Sequence, residues 1–205
     1  RGQTILSRRV EGQTLQMAPA WIDAHMDCRL VLYRNCRNTA EIGRTVGSFI
    51  ERRHKNYLSD VHGKRPCAVF VSQTEALAQA AADFVRRMRS AERLELRDIV
   101  ILTVSTLVKS VLGSLTELAG IPVSHKPEEG KLWLTTVRRY KGLEAKAVLL
   151  VDVCVSRLTD STCQRLIYVG SSRATAYLET LFLNDVSPEE YPALTAQLGE
   201  EVAPT

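Results

Sequence analysis

Three short clusters hold most of the side chains in this sequence that could do chemistry. Arg34 and Arg37 flank Asn35 and Cys36; Arg138, Arg139, Lys141, Gly142 and Glu144 follow one another closely; Ser171, Ser172 and Arg173 form the third. Arginine presents a planar fork that grips a phosphate at two points, where lysine offers only a point charge. No Ser-His-Asp set and no paired carboxylates accompany them, so acyl and glycosyl transfer are poor matches. The set suits holding phosphates and stabilising developing charge. It is also incomplete. There is no Gly-x-x-x-x-Gly-Lys-Ser/Thr loop to cradle a triphosphate, and no Asp-Glu pair ends an apolar strand where a magnesium ligand would sit. The bland alternative is a solvated surface, with a polar loop on a sheet and arginines that serve solubility.

The flanking pattern says what must position these clusters. Leu132 to Val137 and Ala147 to Val153 read as buried strands around the cationic turn. Further strand candidates are Leu30 to Leu32, Cys67 to Val71, Asp98 to Thr103, Ile121 to Val123 at an edge where Pro122 is tolerated, and Tyr177 to Leu183. Helices alternate with them. Asn38 with Glu41 forms a capping signature ahead of Ile42, Val46, Phe49 and Ile50 at helical spacing. Ser72 with Glu75 repeats it before Leu77, Ala80, Ala81, Phe84, Val85 and Met88. Ser105 caps a predicted helix carrying Leu107, Val108, Val111, Leu112, Leu115 and Leu118 inward, stopped at Gly120. A further helix runs from Cys163 to Ala174, and Ser187-Pro188 starts a last one. The outer face of the second helix, with Asp83, Arg86, Arg87, Arg89 and Arg93, reads as a solvated face rather than a phosphate track.

This alternation predicts an α/β three-layer sandwich, a mostly parallel sheet with helices on both faces. Ligands of such sheets sit beyond the carboxyl ends of the strands, and all three clusters are expected there. One tension remains: only residues 138 to 146 join the two central strands, which is short for a parallel crossover. Either they form one tight helical turn, or the strands are antiparallel.

Composition leaves this reading room. The 205 residues are 45% hydrophobic and 24% charged, enough for a sizeable core and unlike a disordered or fibrous chain. A net charge of +4 permits a nucleic-acid partner without requiring one. Cysteines 28, 36, 67, 154 and 163 are odd in number and include no Cys-x-x-Cys; Cys67, Cys154 and Cys163 fall in apolar patterns and read as buried thiols, which points to a reducing, cytoplasmic setting rather than to disulfides or zinc. Histidines 25, 54, 62 and 125 are scattered, and no metal site is expected. No apolar run approaches the roughly 20 residues of a membrane span. The sequence opens as though mid-sentence, as a piece of a longer protein would.

The clusters match a family. Asn35-Cys-Arg-Asn-Thr-Ala-Glu-Ile42 resembles the fourth motif of UvrD-like superfamily-one DNA helicases, Asn-Tyr-Arg-Asn/Ser-Thr. Thr136-Val-Arg-Arg-Tyr-Lys-Gly-Leu-Glu144 is similar to the fifth, Thr-x-His-x-x-Lys-Gly-Leu-Glu. Leu166-Ile-Tyr-Val-Gly-Ser-Ser-Arg-Ala174 resembles the sixth, Leu-x-Tyr-Val-Ala/Gly-x-Thr-Arg-Ala. The motifs keep the family's order and cover roughly residues 29 to 183. Residues 1–28 show little periodicity and read as an entry strap, and 187–205 read as a terminal helix and tail; between them the resemblance implies a RecA-like C-terminal motor domain over 29–186. Arg37 and Arg173 would be arginine fingers on the γ-phosphate of ATP. Arg34, Lys141, Gly142 and Glu144 would bind the rest of the nucleotide, Glu144 at its ribose. Thr136, Arg138 and Arg139 would face single-stranded DNA. ATP and Mg2+ would be held mainly by an N-terminal motor domain of the same parent, without which this chain alone would not hydrolyse ATP.

Departures qualify the match. Cys36 stands where the family has Tyr, which removes a stacking ring; Arg138 replaces His, and Ser172 replaces Thr. The stretch between Asn38 and Thr135 leaves no room for the large accessory domain of longer members, so the parent would be a compact helicase. The rival from another class is a non-catalytic helicase-like module that binds nucleic acid or protein. A stand-alone nucleotide-binding enzyme is disfavoured by the missing Gly-rich loop.

Overall fold

A computed structural model describes residues 9–10, 13–14, 37–48 and 59–185. The expected strand at Leu30 to Leu32, the terminal helix from Ser187 and Arg34 all lie outside the described residues.

A small antiparallel ladder joins β1 (Arg9–Val10) to β2 (Gln13–Thr14). The main sheet has seven strands, β3 (Cys67–Val71), β4 (Ile99–Thr103), β5 (Glu117–Leu118), β6 (Ile121–Ser124), β7 (Leu132–Thr136), β8 (Ala145–Cys154) and β9 (Ala174–Leu183). Their order is β3-β9-β8-β4-β7-β6-β5, with every pairing parallel except β5 with β6. Among the described residues, three α-helices cover it: α1 (Ala40–Ser48), α2 (Thr74–Ser90) and α3 (Ser161–Ser171). The expected α/β three-layer sandwich is what the chain forms.

The two faces follow from the period of two along each strand. Val100, Leu102, Val148, Leu150, Leu178 and Phe182 point to one side and pack under Ile42 and Val46 of α1 and Cys163, Leu166 and Ile167 of α3. Ile99, Ile101, Ala147, Leu149, Val151 and Leu181 point to the other, under Leu77, Ala81, Phe84, Val85 and Met88 of α2. The central strands β4 and β8 are covered on both sides, which is why they read as unbroken apolar runs.

The short crossover is parallel after all. β7 and β8 are not neighbours; each pairs with β4, from opposite sides. Residues 137–144 therefore pass over β4 and drop from the carboxyl end of β7 to the amino end of β8. They begin with a helical turn, Tyr140 N–H to Thr136 C=O at 3.1 Å. Tyr140 is 3% exposed and meets Trp133 edge-on at 5.0 Å, so the crossover is itself part of the core. α3 packs on it closely. A Cβ at Gly170 would stand 2.6 Å from Leu150 Cδ1 and 3.0 Å from Val137 Cγ2.

Some expectations fail locally. No helix spans Ser105 to Leu118; the stretch is a series of hydrogen-bonded turns. Val111 N–H donates to the Asp152 carboxylate at 3.1 Å, a partner outside the segment where a helix would use its own backbone carbonyl. Gly113 lies so close to Leu107 C=O that a side chain there is excluded, and the Ser, Thr, Val and Gly content is poor for helix. Val108, expected inward, is 97% exposed. Gly120 does not stop a helix either. With Ala119 it has positive φ, 79° and 55°, as a two-residue β5–β6 hairpin requires. α1 starts one residue after Thr39, whose hydroxyl lies 3.5 Å from Ile42 N–H, while Asn38 is used elsewhere. α2 starts after Gln73 without a side-chain cap, so the Ser72 capping box does not form. Of the expected buried thiols only Cys163 is fully buried; Cys67 and Cys154 are half-buried.

Glu41 helps to tie α1 to the loop before β3, beside the bond from Ala40 N–H to Val61 C=O at 2.9 Å. Glu41 accepts from Gly63 N–H at 2.8 Å and bonds His62 Nδ1 at 2.9 Å. The His62 bond, then that of Gly63, hold its carboxyl down from 4.5 to about 2. A folded value below the unfolded one stabilises the fold above pH 4.5, and the gain is lost as pH falls towards 2. Urea unfolding of wild type and Glu41→Gln should therefore give curves that differ at pH 6 and converge between pH 4.5 and 2. A difference that persists unchanged at pH 2 would mean that the charge on Glu41 is irrelevant. Separately, Gly170→Val should lose about 2–3 kcal/mol by overpacking against Leu150 and Val137, read as a lower urea midpoint at unchanged slope.

Candidate functional site

The crossover separates the predicted residues into two groups. Thr136 ends β7 level with Thr103 at the end of β4. Its hydroxyl accepts from Arg139 N–H at 3.2 Å, which sets the first turn and leaves Arg138 and Arg139 exposed near the carboxyl ends of the strands. This is also where the strand order reverses about β4, the usual ligand crevice of such sheets. Asp152 belongs to the same end. It takes a left-handed φ of 63° at a register shift in β8 and accepts from the Thr103 hydroxyl as well as from Val111 N–H. Sequence reasoning passed over it, although an Asp closing an apolar strand was the available signal.

The other group lies at the opposite edge of the sheet, which corrects the expectation that all three clusters crown the carboxyl ends. Ala145 and Ala174, the first residues of β8 and β9, are register partners, and Ala145 N–H donates to Arg173 C=O at 3.1 Å. Glu144 and Arg173 therefore precede two adjacent strands at their amino ends. Counted along β8 from Val151, which is level with Thr103 and so with Thr136, back to Ala145, this edge is roughly 20 Å from Thr136 at about 3.3 Å per residue. The error came from placing every charged turn after the strand that precedes it. The crossover is short enough to deliver its last residues to the start of the next strand.

Arg37 is brought to the same edge by Asn38. The Asn38 amide donates to Ala174 C=O at 2.5 Å and to Ser172 C=O at 3.2 Å, pinning the start of α1 across β9. Arg37 Nε then lies 2.8 Å from Glu144 Oε2, with both side chains partly exposed. Arg173 is different, being only 2% exposed. Its Nε donates to Val169 C=O at 3.0 Å and Nη2 to the Ser172 hydroxyl at 3.2 Å, while Nη1 reaches Leu143 C=O at 3.5 Å. A guanidinium at the last turn of α3 satisfies a free carbonyl and complements the helix dipole. Burial pushes its pKa down, Arg37 adds to that, and Glu144 opposes it. Beneath them burial drives the Tyr140 phenol up to about 12, with Arg173 opposing and Glu144 reinforcing.

Gly142 sits at the surface of this edge with φ 93°, a conformation that favours glycine, and a Cβ there would meet nothing within 4 Å. Lys141 and the 47% exposed Leu143 flank it. The edge thus offers a guanidinium paired to a carboxylate, a second guanidinium beneath, and an open backbone turn. These groups suit an anionic ligand that carries hydroxyls. Arginines of α2 do not join them. Arg86 pairs with Asp83, Arg87 with Glu179 and Arg89 with Leu94 C=O. Among the described residues, no group of His, Cys, Asp and Glu is arranged to hold a metal ion, and no helix is long and apolar enough to cross a membrane.

Comparison with known proteins addresses the same region. Residues 131–178 match the family model of the UvrD-like helicase C-terminal domain, a span that includes the whole crossover, β8, α3 and the start of β9. No curated protein matches the chain. Among solved structures, the C-terminal domain of a possible DNA helicase from Lactobacillus plantarum WCFS1 is similar, with a TM-score of 0.61 at 20% identity over 80% of this chain and 94% of that one. At that identity the likeness is one of fold. The motif resemblance and the match over 131–178 agree with that shared fold, and the family this chain resembles is the UvrD-like helicase C-terminal domain.

Proposed function

We propose that the chain is the C-terminal motor domain of an ATP-dependent DNA helicase. The observation that carries this is the meeting of Arg37, Glu144 and Arg173 at one edge of the sheet, joined by a single crossover to Thr136, Arg138 and Arg139 at the other. In this reading Arg37 and Arg173 face the phosphates of an ATP shared with an N-terminal motor domain, which also holds Mg2+. Cleavage of the terminal phosphoanhydride supplies the driving energy. Glu144 accepts from the ribose, Gly142 lets the backbone come close, and Lys141 adds a cation at the rim. Thr136, Arg138 and Arg139 hold the backbone of single-stranded DNA without reading its sequence. On this reading the isolated chain binds ATP weakly and does not turn it over.

One observation favours the rival, a helicase-like module that only binds. Arg173 is buried with its donors on its own chain, so contact with a phosphate requires those bonds to open. Kinetics of the parent protein separate the two. Loss of a finger costs about 10³-fold or more in kcat, so Arg37→Ala and Arg173→Ala should each reduce ATP turnover on that scale. Arg138→Ala should instead weaken single-stranded DNA binding about equally across sequences and lower the salt slope by about 1. Turnover that both finger variants leave at the wild-type level would remove the motor reading.

A further inference from the structure

We propose that Glu144 is a specificity determinant, a resident counterion that reserves Arg37 for ligands able to engage the carboxylate as well. The inference rests on the nucleotide reading of this edge and adds a requirement to it.

Arg37 Nε and Glu144 Oε2 are 2.8 Å apart, so the carboxylate occupies an arm of the fork that a phosphate would take. The two residues are 107 positions apart, and both are delivered by anchored backbone. Asn38 fixes the start of α1 to Ser172 and Ala174, and Ala145 N–H fixes the end of the crossover to Arg173 C=O. The pair is thus set by the fold rather than by a chance meeting of two long side chains. A second guanidinium, that of Arg173, lies close enough for both members of the pair to act on it electrostatically. Glu144 therefore stands among two cations and cancels one of them.

Ligands are sorted by this arrangement. A bare polyphosphate offers only acceptors. To take the Nε edge of Arg37 it must displace a carboxylate, and if it takes the outer edge instead it must sit with its negative charge beside that carboxylate. A nucleotide also offers sugar hydroxyls, which donate to a carboxylate. It can draw Glu144 away from Arg37 and give it a new partner in the same event. Bound sugar and bound phosphate are then linked through one side chain, which no list of separate contacts would reveal. A partly exposed ion pair is weak, so the bias is expected to be modest, about threefold to tenfold.

The test is a double-mutant cycle on the 205-residue chain, using inorganic tripolyphosphate and ATP as probes in calorimetric or fluorescence titrations. Glu144→Gln should bind tripolyphosphate about threefold to tenfold more tightly than wild type and lose most of the preference for ATP over tripolyphosphate. In an Arg37→Ala background, the same change should have much less effect on tripolyphosphate. Through-space repulsion alone would give an equal gain in both backgrounds, and that result overturns the proposal. So does a tripolyphosphate affinity that Glu144→Gln leaves unchanged, because Glu144 would then serve only the sugar. Binding of neither probe to any variant removes the phosphate site itself, and the proposal with it. Arg37 side-chain Nε–H resonances give a second readout. Added ATP should shift them in wild type, and tripolyphosphate at equal concentration should shift them less.

Discussion

Eight residues, 137–144, must cross β4 and travel from one edge of the sheet to the other, and most of the molecule's organisation follows from that. A fully extended chain of this length reaches only about 26 Å. Part of the path is spent on a turn at Thr136 to Tyr140, so little slack is left. The crossover cannot bulge into solvent. It lies flat on the sheet, buries Val137 and Tyr140, and lets α3 approach until only glycine fits at position 170. Close packing here is a consequence of connectivity. A longer crossover helix would have covered the same strands without bringing Glu144 to the first residue of β8.

The same constraint explains the charge distribution. Arg138 and Arg139 leave the core at the carboxyl edge, and Lys141 to Glu144 emerge at the amino edge, with Tyr140 buried between them. Two cationic surfaces on opposite edges are therefore ends of one pinned segment. Arg173 shows what this edge costs. Its guanidinium is nearly excluded from water, and its pKa is pushed down by burial. Backbone carbonyls at Val169 and Leu143 and the Ser172 hydroxyl replace the lost hydration. The carboxylate of Glu144 supplies the opposing charge, and without it Arg37 and Arg173 would repel each other in a partly dry site.

Much of this was legible in the sequence, for physical reasons. β4 and β8 are buried on both faces and so appear as continuous apolar runs, while α2 displays a full apolar stripe at helical spacing. The family resemblance gathered Arg37, Glu144 and Arg173 into one site, and the fold does bring them together. The stretch from Ser105 to Leu118 misled because apolar spacing shows that a segment packs without showing how. There the Asp152 carboxylate, 41 residues away, competes for Val111 N–H. Asn38 looked like a helix cap because local spacing cannot reveal that Ser172 and Ala174 carbonyls lie within reach. The edge on which a turn emerges depends on strand order, and strand order is a property of pairings that no single segment encodes.

Strand order also decides what kind of coupling the molecule can support. Energetic linkage between two sites needs an element with two arrangements that each site can bias. A segment as short and tightly packed as 137–144 is a poor hinge, because lifting it exposes Tyr140 and opens a gap under α3. What can change at low cost lies at its end, where Arg37 and Glu144 form a partly exposed ion pair. The crossover then acts as a rigid rod that fixes the distance between two edges. A partly exposed ion pair is weak, so on the proposed reading it is the Arg37–Glu144 pair, not the crossover, that a ligand rearranges.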